Sequence, residues 1–380
     1  MAEKYTFEVF PVERFATKSS TAIKAPKEIA HFSYDENHEF RQDASSLRYF
    51  YTPRLGADLS EGYEQFIKHD DSKDEHLDGL LRALMHYEKQ TETPFKADII
   101  TWRGMMTKLM TAPFERFDGF EMRATVFQGT IFIEEDHEAK MRHNSRNNSR
   151  PGPEGIPNDM YAYWGYKFES LCLIPDTWDA TSRDYIEGRE SHVVSNKAQY
   201  CSIVRTGIGP ISMIMGGEVD AVWDQKPEDP SEPINYLELK TAQTPESELD
   251  EVKFERKLCR MWAQSFLLGV PKLIVGFRSR NGILQSTAEF KVRDIPGMVK
   301  RRRQTWDGNL AIKFLEHVLH FLKETIRGDG VWSIRRGAKG GRTIEVMKIE
   351  SKGTGGILSE EFLRWRMELQ AKEVAKMLGG

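Results

Sequence analysis

The chain has 380 residues, with 54 lysines and arginines against 58 aspartates and glutamates, which gives a formal net charge of −4. This near balance argues against a protein that coats nucleic acid by bulk charge, so any such contact must use a local basic groove. No run approaches the roughly 18 consecutive apolar residues of a membrane span, and charges within the first ten residues argue against a secretory signal peptide. The three cysteines are far apart and odd in number, which excludes a disulfide framework and a CxxC zinc site and fits a reducing compartment.

The first half of the chain predicts an irregular lead-in followed by mixed helices and strands. Residues 1–30 combine proline, lysine, serine and threonine without a regular pattern. The leucines between residues 77 and 84 follow the spacing of an amphipathic helix, and residues 97–102 are typical of a buried strand. Residues 120–133 predict a hairpin that turns at Gln128-Gly129. Residues 140–159 are almost free of apolar side chains, so we predict a mobile surface insertion there.

The second half contains further strands and helices in no strict alternation. Two strands are predicted at 211–222 and 234–240, separated by a polar break with three prolines. The patterns that follow predict a helix ending at Gly269, a hairpin with its turn at Asn281-Gly282, and helices over 310–326 and 359–380. Because strands and helices mix without regular βαβ order, the sequence favours an α+β fold with mixed sheets. No linker is long enough to force a division into domains, so residues 31–380 are predicted to form a single domain.

Acidic residues are concentrated in the two strand segments 211–222 and 234–240. On a strand, residues i and i+2 share a face, so Glu218 and Asp220 are expected to point one way, as are Glu238 and Lys240. If the strands are neighbours, three carboxylates and one ammonium converge, and such carboxylates are costly unless a positive charge lies among them. Mg²⁺ or Mn²⁺ with oxygen ligands is the economical solution. An Asp followed at a distance by Glu-x-Lys is also the pattern of PD-(D/E)XK metal-dependent nucleases.

Each of these short motifs also has an ordinary structural explanation. Paired surface charges would account for the two strand motifs. Glu169, in Gly165-Tyr-Lys-Phe-Glu169, is equally typical of an exposed acid at the end of a strand. Arg103, before Gly104, is either a ligand-binding arginine or the partner of a surface acid. Gln264, on the helix that begins near Asp250, is by itself more typical of a buried core glutamine.

Taken in order, these segments resemble the DXO family of RNA 5′-end quality-control enzymes, which includes the fungal protein that partners the nuclear 5′→3′ exoribonuclease. The resemblance covers roughly residues 30–330 and shows no departure at the acidic positions. It rests on the following ordered motifs: Phe32-Ser-Tyr-Asp35 through Ser46-Leu-Arg-Tyr49, Arg103-Gly104, Gly165 to Glu169, Glu218-x-Asp220, Glu238-x-Lys240, and Gln264 with Val275-Gly-Phe277.

The resemblance implies a single domain of two twisted mixed β-sheets flanked by helices, with an active-site pocket between the sheets. It implies that the metal ligands are Glu169, Glu218, Asp220, Glu238 and the main-chain carbonyl of Leu239. Lys240 and Gln264 would contact the scissile phosphate or its nucleophilic water, and Arg103 would bind RNA phosphate. The implied activity is release of pyrophosphate from 5′-triphosphate RNA and of cap dinucleotide from incompletely capped RNA, in the nucleus.

Other interpretations remain open at the level of sequence. The chain could act mainly as a scaffold or activator of the exoribonuclease, with Trp178 in 174–178 as a candidate anchor or, alternatively, a core tryptophan. It could also be a decapping 5′→3′ exoribonuclease paralogue, or a DNA endonuclease with the same metal chemistry. The basic run Lys300-Arg-Arg-Arg303 is a nuclear import signal, a phosphate-contacting edge or simply a solvated face.

Overall fold

The computed structural model describes residues 3–16, 21–148, 152, 155–227, 229, 232 and 234–378. In these ranges the strands form two mixed sheets. The first sheet contains β1 (Lys4–Glu8), β2 (Ile23–Tyr34), β3 (Phe40–Arg41), β5 (Ile99–Trp102), β6 (Phe120–Phe127), β7 (Thr130–Glu135), β9 (Gln199–Ile208), β10 (Ile211–Glu218), β15 (Val331–Arg336) and β16 (Thr343–Glu350). The second sheet contains β4 (Tyr49–Phe50), β8 (Leu173–Ile174), β11 (Ala221–Val222), β12 (Tyr236–Gln243), β13 (Lys272–Arg278) and β14 (Leu284–Lys291).

The helices flank both sheets. They are α1 (Asp78–Thr91), α2 (Arg103–Thr111), α3 (His137–Asn148), α4 (Asn158–Cys172), α5 (Arg183–Gly188), α6 (Glu248–Leu268), α7 (Ile295–Arg301), α8 (Gly308–Thr325) and α9 (Glu360–Leu378). None of them, over the part of the chain described, has a stretch long and apolar enough to cross a bilayer. The structure confirms the predicted helices over 77–84, 254–268, 310–326 and the C-terminal segment, which the spacing of their apolar residues specifies locally. It also confirms both predicted hairpins, which the Gln-Gly and Asn-Gly turns specify.

Both sheets combine parallel and antiparallel pairs, as the predicted α+β class requires. The first sheet has the order β1-β16-β15-β6-β7-β5-β10-β9-β2-β3, and the second has the order β14-β13-β12-β11-β4-β8. β5 pairs in parallel with β7 and β10, and β12 pairs in parallel with β13, whereas β9 and β10 form an antiparallel hairpin. The predicted architecture of two mixed sheets flanked by helices is therefore confirmed.

The main hydrophobic core lies between the two sheets. On β10, Met213 and Met215 face this core together with α2, α6 and α8, while Ile214 faces the opposite side, which α1 and α9 cover. On β12, Tyr236 and Ala242 face the same core, and Leu237 and Leu239 pack instead against α4. Because successive side chains of a strand alternate between faces, Glu238 and Lys240 share the inner face with Tyr236 and Ala242. Charged residues thus occupy positions where the pattern of the sheet calls for apolar ones.

Two predictions from composition are wrong. The predicted irregular lead-in at residues 1–30 contains β1 and the first part of β2, because polar residues can form strands that lie largely on the surface. Residues 1, 2 and 17–20 lie outside the described residues. The predicted insertion at 140–159 is helical up to Asn148, in α3, and α4 begins at Asn158. The side chains described there are exposed or half-buried, as a surface segment requires, and residues 149–151, 153 and 154 are outside the described ranges.

A buried acid network links β2 to the segment between β11 and β12. The Glu28 carboxylate accepts hydrogen bonds from Tyr236 Oη (2.7 Å), Ser202 Oγ (2.6 Å) and Lys226 Nζ (2.8 Å), and His31 Nδ1 lies 3.7 Å away. Burial by itself raises the pKa of Glu28, but these partners outweigh it and lower the pKa to about 2.

Replacing Glu28 is expected to change the acid sensitivity of the fold. A carboxyl whose folded pKa is depressed stabilises the protein above its unfolded pKa, and this contribution is lost as the pH falls from about 4.5 to about 2. Glu28→Gln should therefore lower the free energy of unfolding at pH 7 by about 3 kcal/mol. Urea titrations at several pH values measure this, and curves for the two proteins that stay parallel from pH 7 to pH 2 would contradict it.

Candidate active site

The chain crosses from one sheet to the other at the first pair of predicted acids. β10 ends at Glu218 in the first sheet, and β11 starts at Ala221 in the second. The prediction of one continuous strand over 211–222 is therefore wrong, since the strand is interrupted between Glu218 and Asp220. Val219 is buried in the core between the sheets, and Leu239 is buried on the other side of the second sheet. The crossing places both carboxylates at the junction of the sheets.

β12 supplies the second pair of residues beside this junction. β11 and β12 are antiparallel neighbours, and the Leu239 N–H donates to Asp220 Oδ2 at 2.6 Å. Lys240 Nζ lies 2.7 Å from Glu238 Oε1 and 3.5 Å from Asp220 Oδ2, and it donates to the Leu239 carbonyl at 2.9 Å. The predicted convergence of acids around one ammonium is confirmed for these residues.

Arg103 reaches the same cluster from the first turn of α2. Its Nη1 lies 2.8 Å from Glu238 Oε2, and the Glu238 side chain is only 1% exposed. The approach of this turn to β10 depends on two glycines, because a Cβ at Gly216 would lie 2.7 Å from the Trp102 ring and one at Gly217 would lie 3.2 Å from Arg103 Cβ. The partner of Arg103 is therefore Glu238, a buried acid inside the cluster, and not the surface acid of the alternative interpretation.

Glu169 comes from α4, so the predicted strand end at this position is a helix. The helix packs against the second sheet through Phe168, and a Cβ at Gly276 of β13 would lie 2.5 Å from the Phe168 ring. Glu169 is half-buried and interacts electrostatically with Asp220, Lys240 and the other acids of the cluster. Its neighbours in sequence are aromatic because they cover the sheet.

Gln264 lies half-buried on α6, which packs against β10, β12 and β13. Lys257 is seven residues earlier and therefore on the same face of the helix. Its Nζ donates to the Thr241 carbonyl at 2.7 Å, and loss of hydration together with the positive charges of Arg278 and Lys240 lowers the pKa of Lys257 to about 8. Sequence analysis did not single out Lys257, which its spacing from Gln264 places beside that residue on α6.

The charges within the cluster do not balance. Burial raises the pKa of Glu238, but Arg103 and Lys240 outweigh burial and lower it to about 2. For Glu218, loss of hydration and then the nearby Asp220 raise the pKa to about 7. Burial, with the neighbouring acids, also raises the pKa of Glu169 and Asp220. Arg103 and Lys240 together neutralise Glu238 and only part of the charge of the other three carboxylates.

This donor set fits a hard divalent cation. Mg²⁺ and Mn²⁺ prefer carboxylate and carbonyl oxygens, which four acids and the Leu239 carbonyl provide. A bound cation would also lower these raised pKa values, since it supplies the positive charge that the two basic side chains do not. The residues present at the junction of the sheets are therefore compatible with a divalent-metal site.

A cavity of about 220 Å³ extends from the cluster over the first sheet. It is lined by Glu218 together with the following residues, which sequence analysis did not assign to the site: Tyr34, Glu75, His76, Trp102, Gln199 and Cys201. Trp102 directly precedes Arg103, so its aromatic side chain next to a predicted site residue was a signal that could have identified it. A second cavity of about 380 Å³ lies between α9 and the β6–β7 turn and contains none of the predicted site residues.

An Asp followed by Glu-x-Lys on a mixed sheet, with further acids and a divalent-metal requirement, defines a nuclease of the PD-(D/E)XK class. A family model described as "RAI1 like PD-(D/E)XK nuclease" matches residues 24–363. The chain belongs to this family and is a divalent-metal-dependent hydrolase, as the predicted resemblance implied.

Relatives and solved structures agree with this assignment. The chain is 52% identical over 368 residues to the decapping nuclease RAI1 of Neurospora crassa, covering 97% of this chain and 88% of that protein. The Candida albicans Rai1 structure in complex with pU5-Mn²⁺ matches with a TM-score of 0.87 and 29% identity, covering 97% of this chain and 100% of that one. The structure of Scheffersomyces stipitis Rai1 in complex with (3'-NADP)+ and calcium ion matches with a TM-score of 0.84 and 32% identity. The match covers 92% of this chain and 97% of that one.

Proposed function

We propose that this chain hydrolyses the 5′ end of RNA, releasing pyrophosphate from triphosphate ends and cap dinucleotide from incompletely capped ends. The observation that carries the proposal is the unbalanced acidic cluster at the junction of the sheets, which opens into a cavity. Relatives named decapping nucleases, and a solved relative in complex with pU5-Mn²⁺, support RNA as the substrate.

We assign the metal ligands to Glu169, Glu218, Asp220, Glu238 and the Leu239 carbonyl. The bound cation would neutralise the non-bridging phosphate oxygens and lower the pKa of a coordinated water. Support for this set comes from the short contacts that Asp220, Glu238 and the Leu239 carbonyl make with one ammonium, because these oxygens already converge on a positive charge.

Lys240, Arg103 and Gln264 are proposed to hold the phosphate and its attacking water. The Lys240 side chain is 26% exposed, so its ammonium is accessible to a phosphate oxygen beside the carboxylates. Arg103 holds Glu238 through Nη1, which leaves other N–H groups of its guanidinium for phosphate. Gln264 would orient water from α6. These side chains bind and position substrate, which is most of what phosphoryl transfer requires of the protein.

End-product analysis tests this proposal. RNAs identical except for a triphosphate, unmethylated cap, methylated cap or monophosphate end are incubated with Mg²⁺ or Mn²⁺. We expect pyrophosphate from the first RNA and cap dinucleotide from the second, and no product in the presence of a chelator. Mononucleotides from the monophosphate RNA would identify an exoribonuclease paralogue, and competition by DNA of equal length would favour a DNA endonuclease. Intact 5′ ends on all four RNAs would refute the proposal.

A second role, as partner of a nuclear 5′→3′ exoribonuclease, is favoured by one surface feature. The Trp178 side chain is 68% exposed, beside β8, so it is not the core tryptophan of the alternative interpretation. An exposed tryptophan is a typical anchor of a protein interface. Residues 300–303 are also exposed, in and after α7, as a nuclear import signal requires, although Arg303 forms ion pairs with Glu251 and Glu255.

Trp178→Ala is expected to weaken binding to the exoribonuclease by at least about 2 kcal/mol, roughly 30-fold, while hydrolysis is unchanged. Calorimetric titration of the purified exoribonuclease measures the affinity. Phe117→Ala is a matched control, because Phe117 is equally exposed, at 73%, but lies on another part of the surface. Equal affinities for the wild type and Trp178→Ala would remove this anchor from the proposal.

A further inference from the structure

Two histidines and a glutamate meet outside the acidic cluster. His38 Nε2 lies 3.2 Å from Glu75 Oε1, and His69 Nε2 lies 3.5 Å from the same oxygen. One ligand atom from each of the three residues lies within 4.8 Å of those of the other two. The residues come from separate parts of the chain: the turn after β2 and the segment that precedes α1.

The two distances to Glu75 Oε1 are close to those between the ligands of a tetrahedral zinc ion. With Zn–N and Zn–O bonds of about 2.0–2.2 Å, tetrahedral geometry separates two ligand atoms by about 3.3–3.6 Å. Imidazole nitrogens select zinc and related transition metals, whereas Mg²⁺ prefers oxygen ligands alone. Three protein ligands would leave one coordination position for water.

The orientation of His38 points to a positive charge at this place. Its Nδ1 lies 2.8 Å from the Lys197 carbonyl, which can only accept, so Nδ1 carries a proton. In the neutral ring, the lone pair of Nε2 then faces the Glu75 carboxylate at 3.2 Å, an arrangement that is repulsive unless a cation or a second proton lies between them. Hydrogen bonding of the other ring nitrogen to a backbone carbonyl is how metal-binding histidines are usually oriented.

A shared backbone segment holds both histidines. The His69 N–H donates to Asn196 Oδ1 at 2.7 Å, and the next residue, Lys197, supplies the carbonyl that orients His38. The two imidazole rings are 3.8 Å apart between centroids, so protonation of both would place two positive charges in contact. Tyr34 stacks on the other side of His38, at 4.1 Å. Neighbours that are not themselves ligands therefore orient the His38 ring and hold the main chain of His69.

We propose that His38, His69 and Glu75 bind a zinc ion that is separate from the catalytic divalent cation. Tyr34 and Glu75 also line the cavity that reaches Glu218. The ion would join the turn after β2 to the segment before α1 and so brace the rim of the candidate active site. Its role would be to position the rim, since the three ligands are distinct from the residues assigned to hydrolysis.

Zinc binding by the full-length protein tests this inference without using activity as the readout. The protein is stripped of metal with a chelator, dialysed into excess Mg²⁺ to occupy the acidic cluster, and titrated with Zn²⁺ by calorimetry. We expect one zinc ion per chain, confirmed by elemental mass spectrometry. His38→Ala and His69→Ala should each lose stoichiometric binding, and zinc should raise the melting temperature of the wild type but not of these variants.

Two controls identify the site. His86→Ala should bind zinc as the wild type does, because His86 is an exposed residue of α1 whose partner is Gln90. Glu218→Gln with Asp220→Asn should also retain zinc, which separates this site from the acidic cluster. His69→Gln, whose side chain stays polar, reports loss of zinc if the alanine variants fail to fold.

The inference is overturned if the wild type binds no zinc in excess Mg²⁺, in which case a proton is what joins His38 to Glu75. It is equally overturned if the histidine variants keep the ion or if the paired acidic variant loses it. A failure of RNA hydrolysis would leave these outcomes unaffected, so the two proposals are tested separately.

Discussion

The paired substitution Glu218→Gln and Asp220→Asn is expected to slow hydrolysis of RNA 5′ ends by about 10³-fold or more while the protein stays folded. A metal ion contributes several kcal/mol of charge stabilisation in the transition state, and each 1.4 kcal/mol is a factor of ten in rate. The amides keep the shape of the acids but remove two of the charges that we propose to hold the cation. RNA binding should weaken less than turnover, because Arg103 and Lys240 remain.

Single-turnover rates with triphosphate RNA, together with the affinity for the same RNA, measure this effect. Thermal unfolding without metal checks the fold. The substitutions should not lower the melting temperature, since neutral amides remove the repulsion between carboxylates in the cluster. Glu187→Gln is the matched control, because Glu187 is an exposed acid of α5 that pairs with Arg183. A paired variant that keeps a wild-type rate would exclude these two acids from catalysis.

Glu88→Ala is expected to lower the free energy of unfolding by about 3–5 kcal/mol, the largest effect on stability that we predict. Glu88 is fully buried on α1 and lies 2.7 Å from Arg366 Nη2 of α9. Its carboxylate also accepts hydrogen bonds from Trp365 Nε1 at 3.0 Å and the Phe95 N–H at 2.9 Å. The substitution leaves a buried guanidinium and two N–H groups without their acceptor, which costs far more than the pair itself contributes.

The matched control is Glu92→Ala, at the end of the same helix. Glu92 also faces α9, through Lys372 at 3.6 Å and Lys376 at 3.5 Å, but its side chain is 55% exposed. Exposed ion pairs contribute about 0–1 kcal/mol, so this variant should unfold close to the wild type in urea. Equal losses in the two variants would mean that burial of Glu88 has no energetic consequence, contrary to the structure.

Local patterns in the sequence were sufficient for the elements that surround the site. The i, i+2 spacing of Glu238 and Lys240 on β12 correctly predicted that the two side chains meet, because alternation along a strand is a local property of the backbone. For Glu218 and Asp220 the same argument assumed one continuous strand, but the chain leaves one sheet between them and enters another. A change of sheet depends on pairing with distant strands, which no spacing within 211–222 reveals.

Composition was a poor guide where tertiary contacts determine structure. Residues 4–8 pair with β16, which lies more than 330 residues later, so the partner that makes this segment a strand is not part of the local sequence. Glu169 lies on a helix that packs on the second sheet through Phe168, and the same aromatic residues are also typical of a strand. In each case a contact with a distant part of the chain selected one of two conformations that the local sequence allows.

The sequence by itself determined which chemical groups the site contains, because the order of its acidic and basic motifs is specific to a family of metal-dependent nucleases. The tertiary structure alone decided how these groups are charged and what surrounds them. Arg103 and Lys240 both lie closest to Glu238, so the charge of the other three acids at the junction of the sheets is only partly neutralised. The physical reason is that charge interactions depend on distance and burial in space, and residues 103, 169, 218 and 238 come together only when both sheets have formed.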